Sequence, residues 1–84
     1  MKHGEIGLRN GIQVNTDLGS FSAFNATLLS DGTKEVYLSV STDETRHYTL
    51  GLGDTFPVRD QTWKLDQIEN AGKPNWYIVL RRLE

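Results

Sequence analysis

The sequence predicts an all-β domain: a small antiparallel barrel or a two-sheet sandwich of six to seven short strands. Three observations carry that expectation. Apolar and polar residues alternate in short runs, the period of a half-buried strand. Gly or Pro interrupts most windows long enough for a helix, and Thr, Val, Ile and aromatic residues fill the gaps. The runs are joined by turns shorter than the roughly dozen residues a parallel crossover takes, so pairing is antiparallel.

Residues 1–11, with Gly4, Gly7 and Gly11, read as a loosely ordered lead-in with a short strand around Ile6–Arg9. Ile12 and Val14 alternate with Gln13 and Asn15 in the next strand, and 16–20 is a turn. Residues 21–29 form a strand apolar on both parities. Phe24, Ala26 and Leu28 share one face, and Phe21, Ala23 and Leu29 share the other. That pattern fits a two-sided position or a bulge. Asp31-Gly32, between two strand patterns, is the strongest hairpin signal. Val36, Leu38 and Val40 then point inward, with Glu35, Tyr37 and Ser39 outward.

A polar turn at 42–45 precedes a strand over 46–52, with Tyr48, Leu50 and Leu52 on one face. Pro57 makes the Phe56–Val58 segment an edge, because proline cannot donate to a central ladder. Trp63, Leu65 and Ile68 step from two to three, which places a bulge near Asp66-Gln67. The last strand, 76–83, turns Trp76, Ile78 and Leu80 one way and Tyr77 and Val79 the other.

The 84 residues make one domain, 1–84, with no linker or repeat. A barrel is the first choice because closure removes edges; the sandwich is the second. There is no cysteine, which excludes disulfides and thiolate metal sites. Formal charge is −2 with both signs scattered, which argues against nucleic-acid binding. No apolar run of spanning length occurs, so neither a membrane segment nor a secretory leader is expected, and a cytoplasmic protein is.

The second half has a distinct cadence: Gly53-Asp54-Thr55-Phe56, Thr62-Trp63-Lys64-Leu65, and Trp76-Tyr77-Ile78-Val79-Leu80-Arg81-Arg82. It resembles a family of small uncharacterised actinobacterial all-β proteins, with a Gly-Asp-Thr-Phe turn, a Thr-Trp strand and a closing Val-Leu-Arg strand. The resemblance covers residues 36–84. It implies the all-β fold and an actinobacterial source, and no activity.

Candidate chemistry is sparse. His47 with Asp43 and Glu44 could form a general base oriented by a carboxylate, or could be an exposed strand histidine. His3 and His47 are the only histidines, and no spacing supports a metal site. No cofactor motif is present. Asp54, in the Gly51–Phe56 turn, could help bind a ligand or could brace a tight turn. Tyr37 and Tyr77 face away from the apolar stripes, where an interface would place them, whereas Trp63 and Trp76 are expected in the core. Arg81, with Arg82, Lys64 and Lys73, could make a basic patch, but neighbouring acids would dilute it.

These residues lead to two expectations. The first is a small non-catalytic module that recognises a peptide or protein partner, or self-associates. Strand addition at the open edge near Phe56–Val58 is one mode. The alternative is an accessory tailoring enzyme of a peptide natural-product pathway, acting by proton transfer and substrate positioning. Whether the chain is an enzyme stays open at this level.

Overall fold

The structure is a computed structural model and describes residues 4–83; His3 lies outside the described residues. Eight strands form: β1 (Glu5–Arg9), β2 (Gln13–Asn15), β3 (Ser20–Leu28), β4 (Lys34–Ser41), β5 (Thr45–Gly51), β6 (Thr55–Val58), β7 (Gln61–Glu69) and β8 (Tyr77–Leu83). The count exceeds the six to seven expected. The segment read as a lead-in carries β1, which pairs with β8 and buries Ile6 and Leu8.

The strands make two antiparallel sheets rather than a closed barrel. Sheet A has the order β1-β8-β7-β6, and sheet B has the order β2-β3-β4-β5. The first-choice barrel is therefore corrected to the sandwich. The physical reason lies in the connections. The turns after β1 and after β5 carry the chain from one sheet to the other, and no ladder bridges the seam at either place.

The core lies between the sheets. Leu8, Phe21, Val36, Leu38, Leu65, Ile78 and Leu80 are essentially inaccessible. Phe21 of sheet B meets Trp63 of sheet A with ring centroids 5.9 Å apart. Trp63 and Trp76 are both buried, as expected, and the Trp63 indole N–H donates to Gln61 at 3.1 Å. A buried indole left without an acceptor would cost about 1–3 kcal/mol, so Gln61 is part of the core's design.

Two bulges keep the inner faces apolar. In β3 the register steps from Ala23↔Leu38 to Asn25↔Tyr37, leaving Phe24 unpaired. Phe21, Ala23 and Ala26 therefore all face inward, although a regular strand would turn Ala26 outward. In β7 the register steps from Leu65↔Leu80 to Gln67↔Val79, leaving Asp66 unpaired and returning Ile68 to the core. Leu52 does not extend β5 as expected. It sits in the turn after Gly51 and is 59% exposed, because the chain has already left sheet B.

The Asp31-Gly32 hairpin forms as expected. Gly32 N–H donates to the Leu29 carbonyl, Gly32 takes a positive φ of 88°, and Thr33 N–H donates to the Asp31 carboxylate at 2.9 Å. Asp31 itself stays out of the left-handed region, so one residue rather than two takes the unusual conformation. The loop after β7 folds over the same end of the sandwich. Its Gly72 N–H donates to the Ala26 carbonyl of sheet B at 2.8 Å, and Ala71 is buried beneath it.

Two predictions follow from turn chemistry. At Gly19, φ is +149° and an added Cβ would collide with the Ser41 carbonyl oxygen. Gly11 also has a positive φ, 79°, but open space around it. Gly19→Ala should therefore cost about 3 kcal/mol or more, against about 1 kcal/mol for Gly11→Ala, measured by urea unfolding. The second concerns pH. The Thr33 backbone N–H, and then its hydroxyl, hold the Asp31 carboxyl below its ordinary value. A depressed folded value adds stability above the ordinary carboxylate range, and that stability is lost as pH falls through the folded value. Asp31→Asn should flatten the acid limb of a melting-temperature profile taken from about pH 6 to about pH 2.

Candidate functional site

The two outer faces of the sandwich differ in chemistry, because period-2 alternation sends opposite residue sets outward from each sheet. Sheet A exposes charge. Arg81 of β8 contacts Glu5 of β1 at 2.8 Å and Asp66 of β7 at 3.2 Å, and Lys64 lies 4.0 Å from Asp66. These ion pairs offset the charge of Arg81 and Lys64 in the basic patch considered around Arg81. Exposed pairs of this kind contribute little stability but make the face soluble and polar.

Sheet B exposes almost none. Ser20, Ser22, Ser39, Ser41, Thr45 and Thr49 fall on its outward parity, with amides from Gln13, Asn15 and Asn25. Glu35 is the one formally charged side chain on that parity of the described strands. Three rings stand among them: Phe24, Tyr37 and His47. Phe24 is 60% exposed and stacks on His47 of β5, with centroids 6.2 Å apart and planes 27° from parallel. Ser39 of β4 pairs with His47 on one side and Ser22 on the other, and it is buried although it faces outward. Ser39 lies on the strand between the stacked Phe24 and His47. Tyr37 donates its hydroxyl to Glu35 at 3.2 Å, and this contact holds the phenol above its ordinary pKa.

A cleft of about 520 Å³ opens at one end of the sandwich, between the first half of β5 and the end of β6. Val40 and Val58 form its apolar floor, with Tyr48, Pro57, Arg46 and Arg59 around it. Tyr48 packs on Phe56 with centroids 5.5 Å apart and directs its hydroxyl at the Pro57 carbonyl, 3.5 Å away. Arg59 takes a positive φ of 56° and reaches two other turns. Its Nε donates to the Leu18 carbonyl at 3.0 Å, and its guanidinium lies 3.6 Å from Asp43.

The structure scatters the residues singled out in the sequence. His47 stacks on Phe24, whereas Asp43 meets Arg59 and Glu44 binds Arg46 at 2.7 Å. Among the described residues, no carboxylate hydrogen-bonds His47. Asp54 accepts from Gly51 N–H at 2.8 Å and so braces its own turn. Tyr37 lies on the outside of sheet B, and Tyr77 and Arg81 lie on the outside of sheet A. One flat partner therefore cannot cover both tyrosines. No group of metal-ligating side chains gathers among the described residues, and no helix there is long and apolar enough to cross a membrane.

Phe24 and Arg59 were missed. Alternation grouped Phe24 with Ala26, and the bulge at Phe24 separates them by returning Ala26 to the core. The dual apolar parity of 21–29 held that signal. Arg59 gave none, because its reach to Leu18 spans 41 positions of sequence.

Fold and surface together define a two-sheet β sandwich with one charged face and one charge-depleted, ring-bearing face. The chain belongs to DUF6406, a family of unknown function whose pattern matches residues 3–84. No curated protein and no solved structure matches it.

The Arg59 geometry separates strain from contact. Arg59→Ala and Arg59→Gly both lose the guanidinium, but only glycine accepts φ near 56° freely. Arg59→Gly should be more stable than Arg59→Ala by about 1 kcal/mol, read from unfolding midpoints in urea.

Proposed function

We propose that this chain is a small non-catalytic recognition module that docks a peptide or protein partner on the outer face of sheet B. The observation that carries the reading is the contrast between its two faces. Interface cores are depleted in charge and enriched in aromatic residues. Recognition surfaces built on rigid elements also combine aromatic anchors with short hydroxyl and amide side chains that adapt their hydrogen bonds. Phe24, Tyr37 and His47 among serines, threonines and amides match that composition, and the ion-paired outside of sheet A does not. The rings sit on paired strands, so they are held in place before a partner arrives, which lowers the entropy cost of docking.

The proposal includes an actinobacterial source, taken from the cadence of the second half, and a cytoplasmic setting, which a cysteine-free chain fits. Self-association through the same face is the other occupant it admits. The tailoring-enzyme alternative has less to draw on. His47 would have to act without Asp43 and Glu44, which are engaged by Arg59 and Arg46.

The test is affinity capture from the native host with a Phe24→Ser, Tyr37→Ser double variant. Both rings are exposed, so the variant should unfold within about 1 kcal/mol of the parent. Capture should fall by about tenfold or more, as for anchor residues at an interface. A Lys64→Ser variant on the opposite face should capture normally. Undiminished capture by the double variant would sink the reading.

A further inference from the structure

A sandwich of two open sheets has four edges, and each exposes backbone N–H and C=O groups that can template another strand. Three of the four are blunted here. β2 is three residues long. β6 has four residues and contains Pro57, so the edge expected near Phe56–Val58 is real but offers little backbone to pair. β1 carries Glu5 and Arg9 and lies against β2 and β3 of the other sheet.

β5 is different. It is seven residues long, lacks Pro and Lys, and pairs with β4 in unbroken register from Ser41↔Thr45 to Glu35↔Gly51. Its one charged side chain, Arg46, sits near the start of the strand and is paired with Glu44, and neither a proline nor a bulge interrupts the rest. Its outward residues, Thr45, His47 and Thr49, continue the charge-depleted face. Its inner side borders the cleft of about 520 Å³.

We propose that β5 is a docking edge that takes an extended segment of a partner protein as a fifth strand of sheet B. This deepens the recognition reading above and rests on it. Main-chain hydrogen bonds to β5 would supply affinity, and alternate side chains would supply specificity. One set would lie beside His47 on the outer face. The other would point to the cleft, whose Val40 and Val58 floor and Tyr48 wall suit an apolar or aromatic anchor inside a charged rim of Asp43, Glu44, Arg46 and Arg59.

A second copy of this chain fits less well. In its own β5, Tyr48 is packed on Phe56 and Leu50 is buried, so neither can enter a neighbour's cleft. Edge-to-edge pairing of two copies would leave both clefts unfilled. The occupant the geometry favours is a foreign strand that brings its own anchor.

The experiment selects a phage-displayed library of random linear peptides on the purified protein and follows amide hydrogen exchange by NMR with the enriched peptide. Alternate amides of Thr45–Thr49, on the edge away from β4, should exchange at least about tenfold more slowly with it. N-methylation of alternate peptide residues, which removes their donors, should weaken binding about tenfold or more. A peptide that binds but leaves β5 unprotected overturns the edge proposal; if it shifts Phe24 and Tyr37 instead, recognition by the face stands. Failure to enrich any peptide also overturns the edge proposal, and the Phe24, Tyr37 capture result then decides the face by itself. β5 protection that rises with protein concentration alone would assign the edge to a second copy and overturn the foreign strand.

Discussion

The structure depends on the reset of strand parity by one unpaired residue in each of its two nine-residue strands. Side chains alternate with a period of two, so one inserted residue turns everything after it to the other face. If Phe24 were paired in a regular ladder, β3 would turn Ala26 outward and bring Asn25 and Thr27 to the core. Burying those polar groups without partners would cost about 1–3 kcal/mol each, a large part of the marginal stability of so small a domain. The bulge in β7 does the same for Ile68. Both strands are long enough that a regular ladder would force the mismatch.

Each bulge also places the residue that characterises its face. Phe24, left out of the β3 ladder, reaches across β4 to stack on His47. Asp66, ejected from the β7 ladder, meets Arg81 and Lys64. The feature that protects the core therefore also gives one sheet an aromatic surface and the other an ion-pair surface. Core and candidate site are set by the same local irregularity, and a change that removed the β3 bulge would alter both together.

The two ends of the sandwich are tied differently. At one end the 70–75 loop folds across from sheet A and hydrogen-bonds Ala26 of sheet B. At the other, Arg59 binds turns that are far apart in sequence and leaves an open cleft beside β5. Both ends carry a cleft of about 520 Å³, one beside Gly72 and Trp76 and the other beside a long edge strand.

Much of the fold was legible in the sequence. Strand positions, the Asp31-Gly32 hairpin, the edge at Pro57, the bulge near Asp66 and both core tryptophans follow from local chemistry: periodicity, φ preference, a missing donor and side-chain volume. The site was less legible. Alternation correctly placed Tyr37 outside, but it could not show that Tyr37 and Tyr77 belong to opposite sheets. Nor could it show that His47 parts from Asp43 and Glu44. The sequence by itself determined most of the residues that fill the interior, with Phe24 and Leu52 as exceptions. Tertiary structure decided sheet membership, the choice of sandwich over barrel, and the neighbours of Phe24, His47 and Arg59. Those depend on which strands pair, and pairing is a non-local choice made by the whole core at once.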